Sequence, residues 1–537
     1  MQETMKNYYE EVKNFRLNVP EKFSFPLDVF DKWNDKTALI WTDGHELKKF
    51  SFRDLTILSS KLAGGFKKLG INKGDKVLIL LPNKPEWWIA VLATMRINAV
   101  AIPGTTLLTA KDIEYRLKAA DVKAVVSDSE NAPKIEEAVN KYGKDVILIN
   151  TENQSGWHKY EELLKSEAFL GEKTFSNDPA FIFFTSGTTG LPKMVLHTQV
   201  SYPLAHIITG KFWLDLKPDE IHWNISDTGW AKAAWSSFFG PWNMGTTVFT
   251  YYRKGKFSPS LIVETLKKYE INTLCGPPTA YRMIVKEIPL SELKFKTVRH
   301  FVAAGEPLNP EIINLWKEAT GQYIYNGYGQ TETVNTLAMF RFVPMKSGAT
   351  GLPTPGFEID IVDDEGKPLP PDTEGNIAIK INPQRPVGLF QEYIGDKLEM
   401  AAAFRGEWYF TRDRGYKDEE GYFWFVGRED DVIISAGYRI GPFEVESALI
   451  KHPAVKEAAV VASPDEVRGE VVKAFIVLAQ DYEPSESLVK EIQEFVKKET
   501  APYKYPRKIE FVEELPKTIS GKIKRKELKL KEFGKLK

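Results

Sequence analysis

The strongest constraint on the fold is a rhythm: short apolar runs alternating with helical stretches. KVLILLP (76–82), AVAIP (99–103), KAVVSD (123–128), DVILIN (145–150), FIFFTSG (181–187), TVFT (247–250), VRHFVAAGE (298–306) and YIYNGYG (323–329) are runs of Val, Ile, Leu and Phe without polar alternation. Such runs are buried on both faces, as in parallel sheets covered by helices. EWWIAVLATMRI (86–97) supplies the helical pattern that must lie between two parallel strands. From about residue 350, Gly/Pro turns at short intervals separate alternating strands, which predicts a small antiparallel sheet. After GREDDVIISAGYRIGPFEVESAL (427–449) come strand runs at 456–463 and 471–479 and helical patterns at 486–499 and 523–533. The expected fold is a large N-terminal α/β domain, residues 1–429, and a small, mobile C-terminal α+β domain, residues 430–537.

Composition excludes several classes. Of 537 residues, 43% are hydrophobic and 12% aromatic, enough to fill several cores and too much for a disordered chain. With 72 Lys+Arg against 73 Asp+Glu, the net charge of −1 gives no basic domain for nucleic acid. One cysteine, Cys275, excludes an intramolecular disulfide framework and a cysteine-rich zinc site. There is no apolar run of about 18 residues, so no membrane-spanning helix is expected. The start, MQETMKNYYEEVKNF, has neither a basic n-region nor the acid-poor composition of a transit peptide. These readings predict a cytoplasmic, unprocessed protein, and they are compatible with a homodimer.

The chemistry concentrates in FIFFTSGTTGLPKMVLH (181–197). A buried strand runs into Thr185, Ser186, Gly187, Thr188, Thr189 and Gly190, followed by Lys193. Glycines allow close backbone approach, hydroxyls and clustered N–H groups suit an anion, and a lysine adds a point charge. Taken alone, the string also fits a polar surface loop after a strand. It is not a Walker A loop, because the adjacent G-K-[ST] triplet is missing.

The whole string resembles the signature of the adenylate-forming superfamily: acyl-CoA synthetases, luciferases and peptide-synthetase adenylation domains. Other motifs follow in the expected order. Tyr328-Gly329-Gln330-Thr331-Glu332-Thr333, with Asn326 and Gly327 before it, resembles the second nucleotide motif. Tyr409-Phe410-Thr411-Arg412-Asp413 resembles the ribose-binding segment, and Gly427-Arg428-Glu429-Asp430-Asp431 the hinge. Pro516-Lys517-Thr518-Ile519-Ser520-Gly521-Lys522 resembles the catalytic-lysine loop. Ser226-Asp227-Thr228-Gly229-Trp230, the string 438–446 and the string 467–475 are similar to the medium-chain acyl-CoA synthetase branch.

The resemblance implies a carboxylate substrate with ATP, Mg²⁺ and coenzyme A. Lys522 would be the mobile catalytic cation, Thr331 an α-phosphate donor and Glu332 the Mg²⁺ ligand. Asp413 would accept from the ribose hydroxyls, with Arg428 bridging ribose and hinge, and Asp430 as the hinge residue. Gly437, Tyr438, Arg439, Arg468 and Tyr505 are nominated for coenzyme A. The Arg439 and Arg468 pair favours free coenzyme A over a carrier-protein thiol as acceptor.

Three departures and two single residues are informative. Arg412 stands where the family usually has Gly, so the backbone path beside the ribose is open to question. Gly329 stands where acetate-specific relatives have Trp. With Gly305 and Trp230, it should therefore bound an acyl tunnel opened by the missing indole. Val334, where the medium-chain branch usually has Gly, should narrow that tunnel. Short-to-medium or branched acids of about four to eight carbons are expected, at about 0.8 kcal/mol per buried methylene. His197, after the loop, fits either phosphate approach or core packing, and Cys275 reads as buried rather than catalytic.

Overall fold

A computed structural model describes residues 2–185, 192–253, 255, 257–435, 438–465, 468–517 and 523–534. Ser186, Gly187, Thr188, Thr189, Gly190, Gly437 and Lys522 lie outside the described residues, as does the side chain of Arg439.

Two large sheets form the body of the chain. In the first, Pro179–Thr185, Val100–Pro103, Lys76–Leu80, Val122–Ser127, Ile147–Asn150 and His158–Lys159 run parallel in that order. In the second, Ile324–Tyr328, His300–Ala304, Thr273–Gly276, Ile221–Asn224, Thr247–Tyr251 and Thr37–Thr42 are also parallel. Both carry antiparallel edges. The apolar runs are buried as their composition demands: Val77, Leu78, Ile79 and Leu80 are each fully enclosed. Pro85–Arg96, the helix after Lys76–Leu80, is buried nearly throughout, because it lies among the aromatic side chains between the layers.

The third sheet is the small antiparallel one, built on Ile359–Val362, Gly375–Lys380, Trp408–Lys417 and Phe423–Arg428. It ends at Arg428. The fourth begins at Ile433 and is built round the long hairpin Val455–Asp465 and Gly469–Leu478, with Lys508–Phe511 added in parallel. It has its own apolar core, including Ile433, Val445, Leu449, Ile476 and Ile492. The change of sheet falls between Arg428 and Ile433. Contacts across this change include polar ones: Lys286 Nζ donates to the carbonyls of Val455 and Lys456, and Asn309 Nδ2 donates to Ser447 Oγ at 2.9 Å.

Candidate active site

The parallel strands of both large sheets end on one cavity of about 2620 Å³. Ligands in open α/β sheets bind at such carboxyl ends. The cavity wall includes Thr185, Lys193, Trp230, Gly305, Asn326, Gly327, Tyr328, Gly329, Gln330, Thr331, Glu332, Asp413, Arg428 and Asp430, all nominated from sequence. Leu515, Pro516, Lys517, Ile523 and Lys524, on either side of residues 518–522, also face it. The coenzyme A nominees differ. Tyr438 is exposed and stacks on Tyr503, with centroids 4.4 Å apart, and the Tyr505 hydroxyl accepts from Arg507 at 2.8 Å. Arg468 is exposed. None of these three lines the cavity.

Thr185 and Lys193 are paired residues of an antiparallel hairpin, which fixes both ends of the glycine-rich loop. Lys193 Nζ lies over the Tyr393 ring at 5.1 Å and is ion-paired with Glu399, from the short helix Lys397–Ala403. The Tyr393 hydroxyl donates to Glu332 Oε1 at 2.8 Å. Burial raises the carboxyl pKa of Glu332, and the Tyr393 bond opposes that rise. A cation beside Glu332 would offset the desolvation.

The polypeptide around Gln330 is held from three sides. Gln330 Nε2 donates to the Thr411 carbonyl and to Asp413 Oδ2, both at 2.7 Å, and its Oε1 accepts from Tyr409 at 3.0 Å. Tyr328 also donates to Asp413 Oδ2, at 2.6 Å. Arg428 Nε stands 3.7 Å from Asp413 Oδ1, and that carboxylate raises the arginine's pKa. His197 is fully buried. Its Nε2 bonds the Thr331 carbonyl at 2.7 Å and its Nδ1 bonds Ser201 Oγ at 3.1 Å. Of its two sequence readings, core packing holds, but the core histidine also anchors the nucleotide motif. Burial holds its pKa down at about 3, so the ring is neutral at neutral pH.

Asn326 Oδ1 is buried and has no hydrogen-bond partner among the described residues, yet its residue faces the cavity. An orphaned buried acceptor costs free energy until a donor fills it. Gly327 is required beside it, because a Cβ there would lie 2.3 Å from the Trp213 ring.

The structure corrects the expected tunnel. A Cβ on Gly329 would lie 2.4 Å from Cη2 of Trp235 and 2.5 Å from the Val334 carbonyl oxygen. The space beyond Gly329 is therefore not open, because a second indole, 95% enclosed and bonded through Nε1 to the Tyr202 hydroxyl at 2.6 Å, fills it. Val334 does not narrow the cavity with its side chain. Its Cγ2 lies 2.6 Å from a Cβ built on Gly388, away from the lining.

Arg412 resolves the question of the ribose segment. It adopts φ +61°, the left-handed conformation a glycine would take freely. For an L-residue this costs about 1–2 kcal/mol. Its guanidinium is paired with Glu399 at 2.8 Å.

Sequence reasoning missed Tyr393, Glu399, Trp235 and the anchoring role of His197. None carries a local signal; each acts through a partner far along the chain. Cys275 is buried on Thr273–Gly276, with Sγ 3.5 Å from Ser236 Oγ, and burial raises its thiol pKa.

Comparison with known proteins defines the class. The chain belongs to the AMP-binding enzyme family: the family's main domain matches residues 28–393 and its C-terminal domain residues 444–522. Among similar curated proteins is the mitochondrial acyl-coenzyme A synthetase ACSM3 of Mus musculus, 47% identical over 544 residues, covering 98% of this chain and 93% of its own length. The mitochondrial ACSM4 of Homo sapiens is 47% identical over 543 residues, covering 98% and 93%. Among solved structures, the anthranilate CoA ligase AuaEII in complex with anthranoyl-AMP superposes with a TM-score of 0.88 at 28% identity, covering 96% of this chain and 98% of that one. A benzoate CoA ligase from Burkholderia xenovorans gives 0.83 at 27% identity, covering 94% and 100%.

Proposed function

We propose that this protein is an AMP-forming acyl-CoA synthetase. A carboxylate oxygen of the acid attacks the α-phosphorus of ATP and pyrophosphate leaves. The coenzyme A thiolate then attacks the acyl carbonyl and AMP leaves. The observation that carries this reading is the convergence on one cavity of Thr185 and Lys193 at the two ends of the glycine-rich string, the Thr331–Glu332 pair, the Asp413 carboxylate and Asn326, whose Oδ1 has no partner among the described residues. That oxygen suits the exocyclic amine of adenine. Asp413 and Arg428 hold the ribose side, and Thr331, fixed by His197, faces the α-phosphate.

Among the described residues, no cluster of three or more His, Cys, Asp or Glu could hold a metal. Magnesium would therefore be held by Glu332 together with phosphate oxygens, a donor set that suits this hard cation. It would supply neutralisation of charge on the phosphates.

The segments flanking Lys522 face the cavity, while Tyr438, Arg468 and Tyr505 do not. This supports an arrangement suited to adenylation, with residues 430–537 turning about Asp430 to bring the coenzyme A contacts round for the second step. Short-to-medium acids fit a cavity lined by Trp230, Gly305 and Gly329, with Trp235 standing behind Gly329. No helix among the described residues is long and apolar enough to cross a membrane. The cytoplasmic location proposed from composition has no support from the relatives, which are mitochondrial by name.

The test is a panel of straight and branched carboxylic acids with ATP and coenzyme A, scored by AMP release. Absence of acid-dependent AMP release overturns the reading. Release of AMP without thioester formation would move the acceptor away from coenzyme A.

A further inference from the structure

The arginine at 412 is the least expected residue of the site, and its geometry assigns it work. A single oxygen, Oε1 of Glu399, receives both Lys193 and the Arg412 guanidinium, the latter at 2.8 Å. The side chains of Glu399, Lys193 and Arg412 are 10%, 11% and 26% exposed, so the cluster is largely out of water. Glu399 is held in place by its helix, whose cap residue Asp396 accepts from the Glu399 N–H at 3.0 Å. The Arg412 carbonyl accepts from the Glu429 N–H at 3.0 Å, which ties the left-handed turn to the segment entering the small domain.

Lys193 thus has two calls on its charge: Glu399, and the phosphates that its loop is built to receive. If Lys193 were the only partner of Glu399, its departure would strand a buried carboxylate, which is expensive. A second cation on the same oxygen removes that obstacle. One carboxylate and two cations leave one positive charge to give to the phosphates, with a neutral pair behind. Glycine at 412 would relax the backbone but supply no charge.

We propose that Glu399 is a positioning residue that docks Lys193, and that Arg412 is the counter-charge that lets Lys193 leave Glu399 for the triphosphate. The proposal rests on the reading of the cavity as an ATP site.

The test measures kcat and KM for ATP in acid-dependent pyrophosphate exchange. Arg412→Gly keeps the φ accessible and should raise KM about tenfold with kcat within about twofold, a ratio worth about 1.4 kcal/mol. Glu399→Gln should lower KM about threefold, because Lys193 loses its competitor. The double variant should return KM to the wild-type value or below. Thioester formation from supplied acyl-AMP, which contains no triphosphate, should be insensitive to Arg412→Gly. If the double variant is as weak as Arg412→Gly, then Arg412 touches the nucleotide directly and the proposal is overturned. It is equally overturned if Arg412→Gly leaves KM unchanged, or if kcat falls in place of a rise in KM. A wild-type protein without ATP-dependent exchange on any acid would instead refute the ATP site itself.

Discussion

Trp235 offers the sharpest test of how this pocket measures its substrate. Its Cη2 occupies the place that a side chain on Gly329 would need. Leucine at 235 has four side-chain heavy atoms against ten for tryptophan, and the vacated space would lie directly behind Gly329, which lines the cavity. If about two further methylenes enter it, each worth about 0.8 kcal/mol, the gain is about 1.6 kcal/mol, or about fifteenfold in kcat/KM for the longer acid. Short acids lose a wall contact and should fall. The price is stability: removing most of an indole costs up to about 3–5 kcal/mol, and the Tyr202 hydroxyl loses the Trp235 Nε1–H that it accepts. Thermal unfolding of Trp235→Leu must therefore be recorded beside the kinetics. The assay is kcat/KM across straight-chain acids from two to twelve carbons, by AMP release. An optimum that stays in place while all rates fall together would refute Trp235 as a limit on chain length. Gly329→Trp should inactivate, and Trp235→Gly alone should not rescue it, because the Val334 carbonyl oxygen lies 2.5 Å from any Cβ at 329.

Burial holds the pKa of His197 and His222 at about 3 and of His300 at about 4. Each is about 6.5 in the unfolded chain, which therefore binds more protons, so stability should fall as pH drops from about 6.5 towards 3. His197→Gln should flatten this slope by up to about 1.4 kcal/mol per pH unit in pH-dependent denaturant titrations, and an unchanged slope would show that His197 is not buried neutral. Lys286 is held down to about 8, mainly by burial, where it meets the small domain. Above pH 8 the docked arrangement has shed a proton that a detached lysine keeps up to about 10.5, so docking should strengthen over that window, and Lys286→Met should abolish this dependence in interdomain distance measurements. Lys522→Ala should nearly eliminate acyl-AMP formation yet spare thioester formation from supplied acyl-AMP. Equal loss of both half-reactions would contradict its role.

The alternating strands, the change of texture near 350 and the second core after 430 are legible because each rests on local composition. Strands at Lys76–Leu80, Val122–Ser127 and Ile324–Tyr328 appear within a few residues of the runs that predict them. Ile221–Asn224 and Thr273–Gly276 are short central strands with little apolar run of their own, and only their neighbours in the sheet define them. The same divide runs through the site. Motif residues such as Gln330, Glu332 and Asp413 are readable as strings. Their supports are not: Tyr393 lies 61 residues from Glu332 and Glu399 lies 206 from Lys193. The error at Gly329 has the same origin, because a missing side chain in one segment says nothing about which distant segment fills the gap.

The burial of Cys275 has a practical consequence for measuring whether residues 430–537 turn during the reaction. It is the only thiol in the chain, and it is enclosed within a central strand with its thiolate form disfavoured. Maleimide dyes should leave the wild-type protein unlabelled. A cysteine at the 47%-exposed Ile57 and another at the 39%-exposed Tyr482 would then be the sole reactive pair, one before and one after the change of sheet at 428–433, reporting separation without a background to subtract. A lone, enclosed sulfur leaves the chain ready for single-molecule optical measurement.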